Sequence, residues 1–164
     1  MVELYFSRLR EGASIPHKRG EDAGYDIFPC FEEDYLLVLP HQTVLVPTGL
    51  ASAFSSDYYF QLFERSSTGS KGIAQRSGVI DSGYRGEWLV PITNTTESSF
   101  AIVKAAARER FETEHPGIWV FPAEKAICQA VLLPVPKTEI SEIPYEELCE
   151  IKSRRRNNGF GSSD

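Results

Sequence analysis

Residues 64–87 read ERSSTGSKGIAQRSGVIDSGYRGE, and this stretch places several kinds of ligand-binding chemistry close together. In its first half, Arg65 can hold phosphate oxygens through its planar guanidinium group, and Ser66 and Ser67 add hydroxyl and backbone donors. The glycines that follow let the main chain come close to a ligand. This half therefore predicts an anion-binding turn, although Arg-Ser-Ser also occurs in ordinary surface turns.

The second half of the stretch predicts a hairpin and a fixed carboxylate. Residues 72–75 and 77–80 are short, largely apolar runs on either side of Arg76, which suits a hairpin against which a planar ligand could lie. Asp81 follows the second run and is expected at a strand end, where a carboxylate is held rigidly and still reaches water or a metal. The alternative is an ordinary type I turn, which Asp-Ser-Gly sequences often form.

Length and composition bound the fold. The 164 residues suffice for one domain, which we expect over residues 1–150, with residues 151–164 as a flexible C-terminal arm. Hydrophobic residues make up 41% and charged residues 24%, as in a soluble globular protein, and no apolar run reaches the ~20 residues that cross a bilayer. The chain start lacks a basic segment followed by an apolar one. We therefore expect no signal peptide, no membrane role and a cytoplasmic location.

Charge and cysteine content argue against two further classes of site. The net charge of -6 and the pI of about 5.2 argue against a broad surface for duplex nucleic acid, because such binding neutralises many phosphates. Cys30, Cys128 and Cys149 are widely spaced, and none belongs to a C-x-x-C pair. We expect three free thiols in a reducing compartment and no zinc site.

Short β-rich runs separated by Pro, Gly and Ser dominate the chain and predict a β-barrel or sandwich. These runs are 2–6, 35–39, 43–46, 58–63, 88–92, 118–121 and 126–133. One helix is predicted over 103–114, with three alanines and mixed charges before a His-Pro-Gly stop. Residues 103–117 are therefore interpreted as an insertion, and we refer to them by that name.

Three side chains outside residues 64–87 also suggest a site. Asp26 lies between apolar residues of a short predicted strand, where a structural carboxylate is the alternative. Gln129 lies in an apolar strand, so its amide needs partners from the protein or a ligand. Phe160 lies between two glycines after a basic run, and with no core to join it could stack on a flat ligand.

Five short motifs follow one another along the chain. They are AGYDI at 23–27, RSSTGSKG at 65–72, GVIDSGYRGE at 78–87, AICQ at 126–129 and RRNNGFGSS at 155–163. In these motifs and their order the chain resembles the homotrimeric dUTP pyrophosphatases (dUTPases). The resemblance implies an all-β, distorted jelly-roll barrel with one short helical insertion and an extended C-terminal arm. It also implies hydrolysis of dUTP to dUMP and pyrophosphate, which limits uracil in DNA and supplies dUMP for dTMP synthesis.

The resemblance implies a role for individual residues. Asp81 matches the carboxylate that activates the water attacking the α-phosphorus, and Tyr84 matches the aromatic that lies under deoxyribose and excludes a 2′-hydroxyl. Uracil would be held by backbone groups of residues 72–78, a hairpin too tight for thymine. The remaining substrate-binding positions are Arg65, Ser66 and Ser67 from a neighbouring subunit, Gln75, Gly78, Val79 and Ile80 near uracil, Gln129 at the phosphates, and Arg155, Phe160, Gly161, Ser162 and Ser163 in the arm.

The resemblance further implies Mg²⁺ as a cofactor and active sites shared within a homotrimer. Asp26 matches an acid that contacts the hydrated magnesium through water. Three positions depart from the family pattern: Glu64 stands where proline is common, Ala126 replaces a basic residue, and Arg156 replaces a glycine.

Two other functions stay open. The dCTP deaminases share the fold, but their deaminating glutamate lies three residues before an asparagine on the strand after the third motif, where this chain has Pro91 before Asn94. Proline cannot transfer a proton. A regulatory or interaction protein could use the same scaffold, with the insertion at 103–117 as the contact surface for a protein partner.

Overall fold

The computed structural model describes residues 2–76 and 78–153, and these residues form an all-β fold with one short helical insertion, as predicted. The strands are β1 (Leu4–Arg8), β2 (Tyr25–Ile27), β3 (Tyr35–Val38), β4 (Thr43–Pro47), β5 (Leu50–Phe54), β6 (Tyr58–Phe63), β7 (Ile73–Gln75), β8 (Val79–Asp81), β9 (Leu89–Asn94), β10 (Phe100–Val103), β11 (Trp119–Pro122) and β12 (Cys128–Pro134). The helices are α1 (Ser66–Gly69), α2 (Arg108–Glu114) and α3 (Tyr145–Glu150), with a 3₁₀ turn at Ala105–Ala107 before α2.

The strands form four small sheets, and most of their pairings join segments distant in sequence. The orders are β1-β5, β11-β10-β3, β2-β12-β6-β8 and β4-β9-β7. All described pairs are antiparallel except β10 with β11. A parallel pair needs a crossover connection, and the insertion supplies it.

A cluster of aromatic side chains fills the core between the sheets. Phe60 and Trp88 are fully buried, with ring centroids 5.2 Å apart, and Phe6 packs 5.5 Å from Trp88. The indole Nε1 of Trp88 donates to Ser52 Oγ at 3.1 Å, so the buried polar atom of this ring is satisfied. Because Phe60 lies in β6 and Trp88 directly precedes β9, the core holds two of the sheets at a fixed separation.

Most predicted strands are confirmed to within about two residues, and β6 is confirmed at both ends. Four elements were not predicted, namely β5, β10, α3 and α1, where a turn was expected. The predicted helix begins later than expected, because Val103 is fully buried as the last residue of β10. The four residues of β10 are all buried, so this short run carries no alternation that separates a strand from a helix.

The predicted hairpin at 72–80 is wrong. In the described residues β7 pairs with β9, whereas β8 pairs with β6 in a different sheet. Ile73 and Ile80 both enter the same core, from two sheets, so β7 and β8 belong to different sheets although they are close in sequence. The local sequence could not show this, because each run finds a longer partner strand elsewhere in the chain.

The insertion packs against the protein's own surface. Phe111 of α2 is 2% exposed, and its ring centroid lies 4.6 Å from that of Tyr35 on β3. The guanidinium of Arg108 pairs with Glu124 at 3.0 Å, and Arg110 pairs with Asp34. The insertion therefore shares a second, small hydrophobic cluster with β3 and β10 and is a docked part of the domain.

The three cysteines are free thiols, as predicted. Burial raises the pKa of the Cys128 thiol to about 12, and partial burial also raises the pKa of Cys30. Among the residues that the structure describes, no helix is long and apolar enough to span a membrane.

Replacing Phe111 with alanine tests the docking of the insertion. We expect the free energy of unfolding to fall by about 3 kcal/mol, because a buried ring is lost from a packed cluster. Urea unfolding followed by circular dichroism at one fixed protein concentration measures this. The control is Glu112→Ala at the next, exposed position, where a change within about 0.5 kcal/mol is expected. Equal midpoints for the two variants would contradict the docked arrangement.

Candidate active site

Asp81 lies at the end of β8, beside an open cavity. The side chain is exposed, and with Gly78, Val79, Ile80 and Tyr84 it lines a cavity of about 220 Å³. Side chains alternate along a strand, and Ile80 is buried in the core, so Val79 and Asp81 lie on the opposite, open face. The pairing of β8 with β6 fixes this face. The prediction that Asp81 occupies a strand end is confirmed.

Tyr84 belongs to a loop at residues 82–87 that is tied to the rest of the fold. Its hydroxyl donates to the backbone oxygen of Glu87 at 3.0 Å. The Glu87 carboxylate in turn accepts from the Gly49 amide at 2.7 Å and from Arg10 at 2.8 Å. Tyr84 is nevertheless 44% exposed and lines the same cavity as Asp81. It therefore presents a fixed ring beside the carboxylate.

The predicted anion-binding turn is a short helix, α1. Arg65 is its N-cap residue, and the hydroxyl of Thr68 donates to the Arg65 carbonyl at 2.9 Å while accepting from its amide at 3.2 Å. This pair of bonds fixes the first turn, on which Ser66 and Ser67 are exposed. Both serines are thus available to a ligand.

The Arg65 side chain lies beside Asp26. Its Nε is 3.2 Å from Asp26 Oδ1, and one terminal nitrogen donates to the Ala126 carbonyl at 3.2 Å. Both charged groups are about one-third exposed, so water partly screens the pair. Two positions of the first and second motifs are therefore adjacent in the folded chain.

Gln129 and Gln75 meet around Glu64. Gln129 Nε2 donates to the backbone carbonyl of Glu64 at 2.8 Å. The Glu64 carboxylate accepts from the backbone N–H of Gln75 at 3.0 Å. All three residues line a cavity of about 500 Å³. The backbone at Gly24 packs directly against the Gln129 side chain, since a Cβ on Gly24 would lie 2.5 Å from Gln129 Oε1. Sequence reasoning noted Glu64 as a departure but missed that it links these elements.

The predicted site residues fall into two groups within one chain. Asp81 of β8 pairs across the sheet with Tyr59 of β6, whereas Gln129 of β12 pairs with Phe63 at the other end of β6. Four residues of strand correspond to about 13 Å, and Arg65 lies two residues further on. One chain therefore does not bring the carboxylate and the anion-binding turn together. Arg155, Phe160, Gly161, Ser162 and Ser163 lie outside the described residues.

The donor set fits a metal that arrives with a ligand. Within 2–76 and 78–153, no three side chains of His, Cys, Asp or Glu form a ready cluster for an ion. Mg²⁺ usually keeps several waters and binds through one or two carboxylates plus substrate phosphates. Asp26 offers one partly exposed carboxylate beside Arg65, the N-cap residue of α1. The residues present therefore fit a hydrated magnesium carried by phosphates.

Comparison with known proteins covers nearly the whole chain. The sequence profile of the dUTPase family matches residues 10–108. A deoxyuridine 5′-triphosphate nucleotidohydrolase of Nautilia profundicola is 32% identical, with 99% of each protein covered. A dUTPase of Staphylococcus bacteriophage 80alpha, solved with dUpNHpp, superposes with a TM-score of 0.76 at 23% identity, covering 98% of both chains.

A second solved structure adds a metal. The dUTPase of phage phi11 of S. aureus, in which a structural Mg(II) ion is coordinated, superposes with a TM-score of 0.68 at 20% identity. That comparison covers 86% of this chain and 96% of the phage protein. At such low identity the two phage structures establish a shared fold, which confirms the predicted jelly-roll type.

Substitutions of Glu64 test its link to β7. Glu64→Ala removes the acceptor of the Gln75 backbone N–H. We expect hydrogen exchange at this N–H to rise about five- to tenfold, because one hydrogen bond contributes a net stability of about 1 kcal/mol. Glu64→Gln keeps an acceptor oxygen, so exchange should stay within about twofold. Amide exchange followed by NMR measures both, with the exposed Glu139→Ala as control. Unchanged exchange in Glu64→Ala would show that the side chain does not hold β7.

Proposed function

The chain belongs to the dUTPase family, and on that premise we propose that it is a dUTP diphosphatase, which hydrolyses dUTP to dUMP and pyrophosphate. The observation that carries this function is the position of Asp81, an exposed carboxylate on a rigid strand end, in one cavity with Tyr84. The reaction limits uracil incorporation into DNA and supplies dUMP for dTMP synthesis. We also place it in the cytoplasm, which the free thiols Cys30, Cys128 and Cys149 support.

Asp81 acts as the general base in this proposal. It holds and deprotonates the water that attacks the α-phosphorus in line with the leaving pyrophosphate. Its neighbour Ile80 is packed in the core, so the backbone that carries the carboxylate is already fixed when the substrate arrives. Positioning of this kind, with general base catalysis, is worth about 10²–10⁴ in rate.

The nucleoside binds beside β8. Within the described residues β8 is the edge strand of its sheet, so its outer side presents backbone N–H and C=O groups. Val79 directs its backbone groups to this outer side, because the Gly78 carbonyl accepts from Leu62 of β6 and bonded pairs alternate along the ladder. Val79 therefore reads the uracil edge, with Gly78 and Ile80 on either side of it, and the side-chain amide of Gln75 assists. Gly78 has φ of 151°, and a Cβ there would lie 2.9 Å from that of Leu62, so no larger residue fits without movement. Tyr84 lies under the deoxyribose.

The phosphates bind at the other group of residues. Arg65 supplies positive charge, and Ser66, Ser67 and Gln129 supply donors. Asp26 would hold Mg²⁺ through water, and this ion supplies neutralisation of the triphosphate when it is bound. The Arg65–Asp26 contact supports the assignment, because it keeps the cation and the magnesium-binding carboxylate next to one another.

We assign a complete site to more than one copy of the chain, in a homotrimer. The separation of about 13 Å along β6 between the levels of Asp81 and Gln129 supports this. One subunit then supplies Asp81 and Tyr84, and a neighbour supplies Arg65, Ser66 and Ser67. The proposed arm, residues 151–164 beyond the domain of residues 1–150, closes the site with Arg155, Phe160, Gly161 and Ser162.

The alternatives find less support. Strand β9 reads LVPITN and contains no titratable side chain, so a deaminase would have no proton donor there. A protein partner at the insertion stays a proposal compatible with the enzyme. It is supported by three exposed acids on the surface of α2, Glu109, Glu112 and Glu114.

Asp81→Asn tests the catalytic assignment. With Mg²⁺ present, the unaltered protein should release pyrophosphate from dUTP and not from dTTP, dCTP or UTP. The variant should lose at least a hundredfold in kcat while still binding dUTP, because an amide accepts no proton. Asp34→Asn, which lies outside the site, is the control and should stay within about twofold. Retained turnover in Asp81→Asn would remove Asp81 from the mechanism.

Mixed assembly tests whether sites are shared. Asp81→Asn and Arg65→Ala should each be nearly inactive alone. When they are unfolded and refolded together in equal amounts, about a quarter of the sites should contain an intact Asp81 from one copy and an intact Arg65 from another. Activity near a quarter of wild type would then return. If the mixture stays as inactive as its components, both groups belong to the same copy.

A further inference from the structure

Gly86 lies directly against the ring of Tyr84. A Cβ built on Gly86 would clash with the Tyr84 hydroxyl oxygen and would lie 2.5 Å from Cζ and 2.8 Å from Cε2, whereas ordinary contact begins at 3.4 Å. The backbone at Gly86 does not have the positive φ that disfavours side chains. The reason for glycine here is therefore space for the ring, and backbone strain plays no part.

The surroundings of the ring leave it little freedom on the protein side. Its hydroxyl donates to the Glu87 carbonyl at 3.0 Å, and the Glu87 carboxylate is held by Gly49 and Arg10. Arg85 donates to the carbonyl of Ser52 in β5 at 3.2 Å. The loop at 82–87 is thus anchored at both sides of Gly86, so it cannot easily withdraw from an added atom.

We propose that Gly86 is a specificity-determining residue, which selects deoxyribose over ribose by fixing the position of the Tyr84 ring. It does not touch the substrate and acts by positioning Tyr84. The inference rests on the proposed function, in which Tyr84 lies under the sugar. Rejection of a single hydroxyl group depends on the distance between the Tyr84 ring and the 2′-carbon of the sugar. The position of the ring must therefore be fixed to a fraction of an ångström.

The substitution Gly86→Ala would displace the Tyr84 ring. The ring would have to shift from 2.5 Å to at least 3.4 Å from the new Cβ, a displacement of 0.9 Å or more. Such a shift disturbs the hydroxyl bond to Glu87 that holds the ring. Misplacement by about 1 Å can cost a hundredfold in a reaction that depends on fit. Selectivity between the two sugars therefore falls.

The test compares Gly86→Ala with Gly83→Ala. Gly83 lies in the same loop, but nothing lies within 4 Å of a Cβ built there, so it is a matched control. The readout is the ratio of kcat/KM for dUTP to that for UTP. This ratio is independent of how much of each preparation is folded. We expect it to fall at least tenfold in Gly86→Ala, mainly through KM, and to stay within twofold in Gly83→Ala. An unchanged ratio in Gly86→Ala overturns the proposal.

The Tyr84→Ala background separates positioning from a general structural role. If Gly86 acts only through the ring, Gly86→Ala has no further effect on the ratio once the ring is absent. Should the single variant fail to fold, the double variant must fold as well as Tyr84→Ala alone. A further loss of selectivity or of folding in the double variant overturns the proposal.

The failures of this inference and of the proposed function are distinguishable. If Tyr84→Ala leaves the ratio unchanged, the sugar role of Tyr84 is wrong, and the role of Gly86 falls with it. The function as a dUTP diphosphatase depends on turnover of dUTP by the unaltered chain, which is measured in the same assay. A selective enzyme with an unaffected Gly86→Ala variant therefore contradicts this inference alone.

Discussion

The pairing of β6 on both of its edges is the constraint on which the rest of the structure depends. One edge carries β12 and the other carries β8, so β6 lies inside its sheet and its register fixes both neighbours. Phe60 and Leu62 point from β6 into the core, which locks the strand against slipping by one residue. Because β8 ends at Asp81 and β12 begins next to Gln129, the placement of the candidate site follows from this single strand.

The same register also divides the site. Asp81 and Gln129, which belong to one site in the proposed function, lie at opposite ends of β6 in one chain, opposite Tyr59 and Phe63. In the proposed homotrimer, each copy would offer one end of β6 to a neighbour.

Short loops complete the site because side chains bind the backbone of neighbouring elements. The Glu64 carboxylate accepts a hydrogen bond from the backbone N–H of Gln75, and the Glu87 carboxylate accepts one from the backbone N–H of Gly49. These carboxylates replace ladder bonds where strands end, and so they stiffen segments that would otherwise be mobile. The close approach of Gly86 to Tyr84 belongs to the same kind of fixation, by shape instead of hydrogen bonding.

The sequence by itself determined the β class, the strand end at Asp81 and the chemistry of the motifs, because alternation and turn residues are local signals. It also marked Arg65 and Asp26, but only the fold shows that they touch. The sheets joined by β7 and β8 were decided by tertiary structure alone, since strand pairing depends on partners far along the chain. The same holds for the bonds of Glu64 and for the space at Gly86, which arise where distant segments pack together.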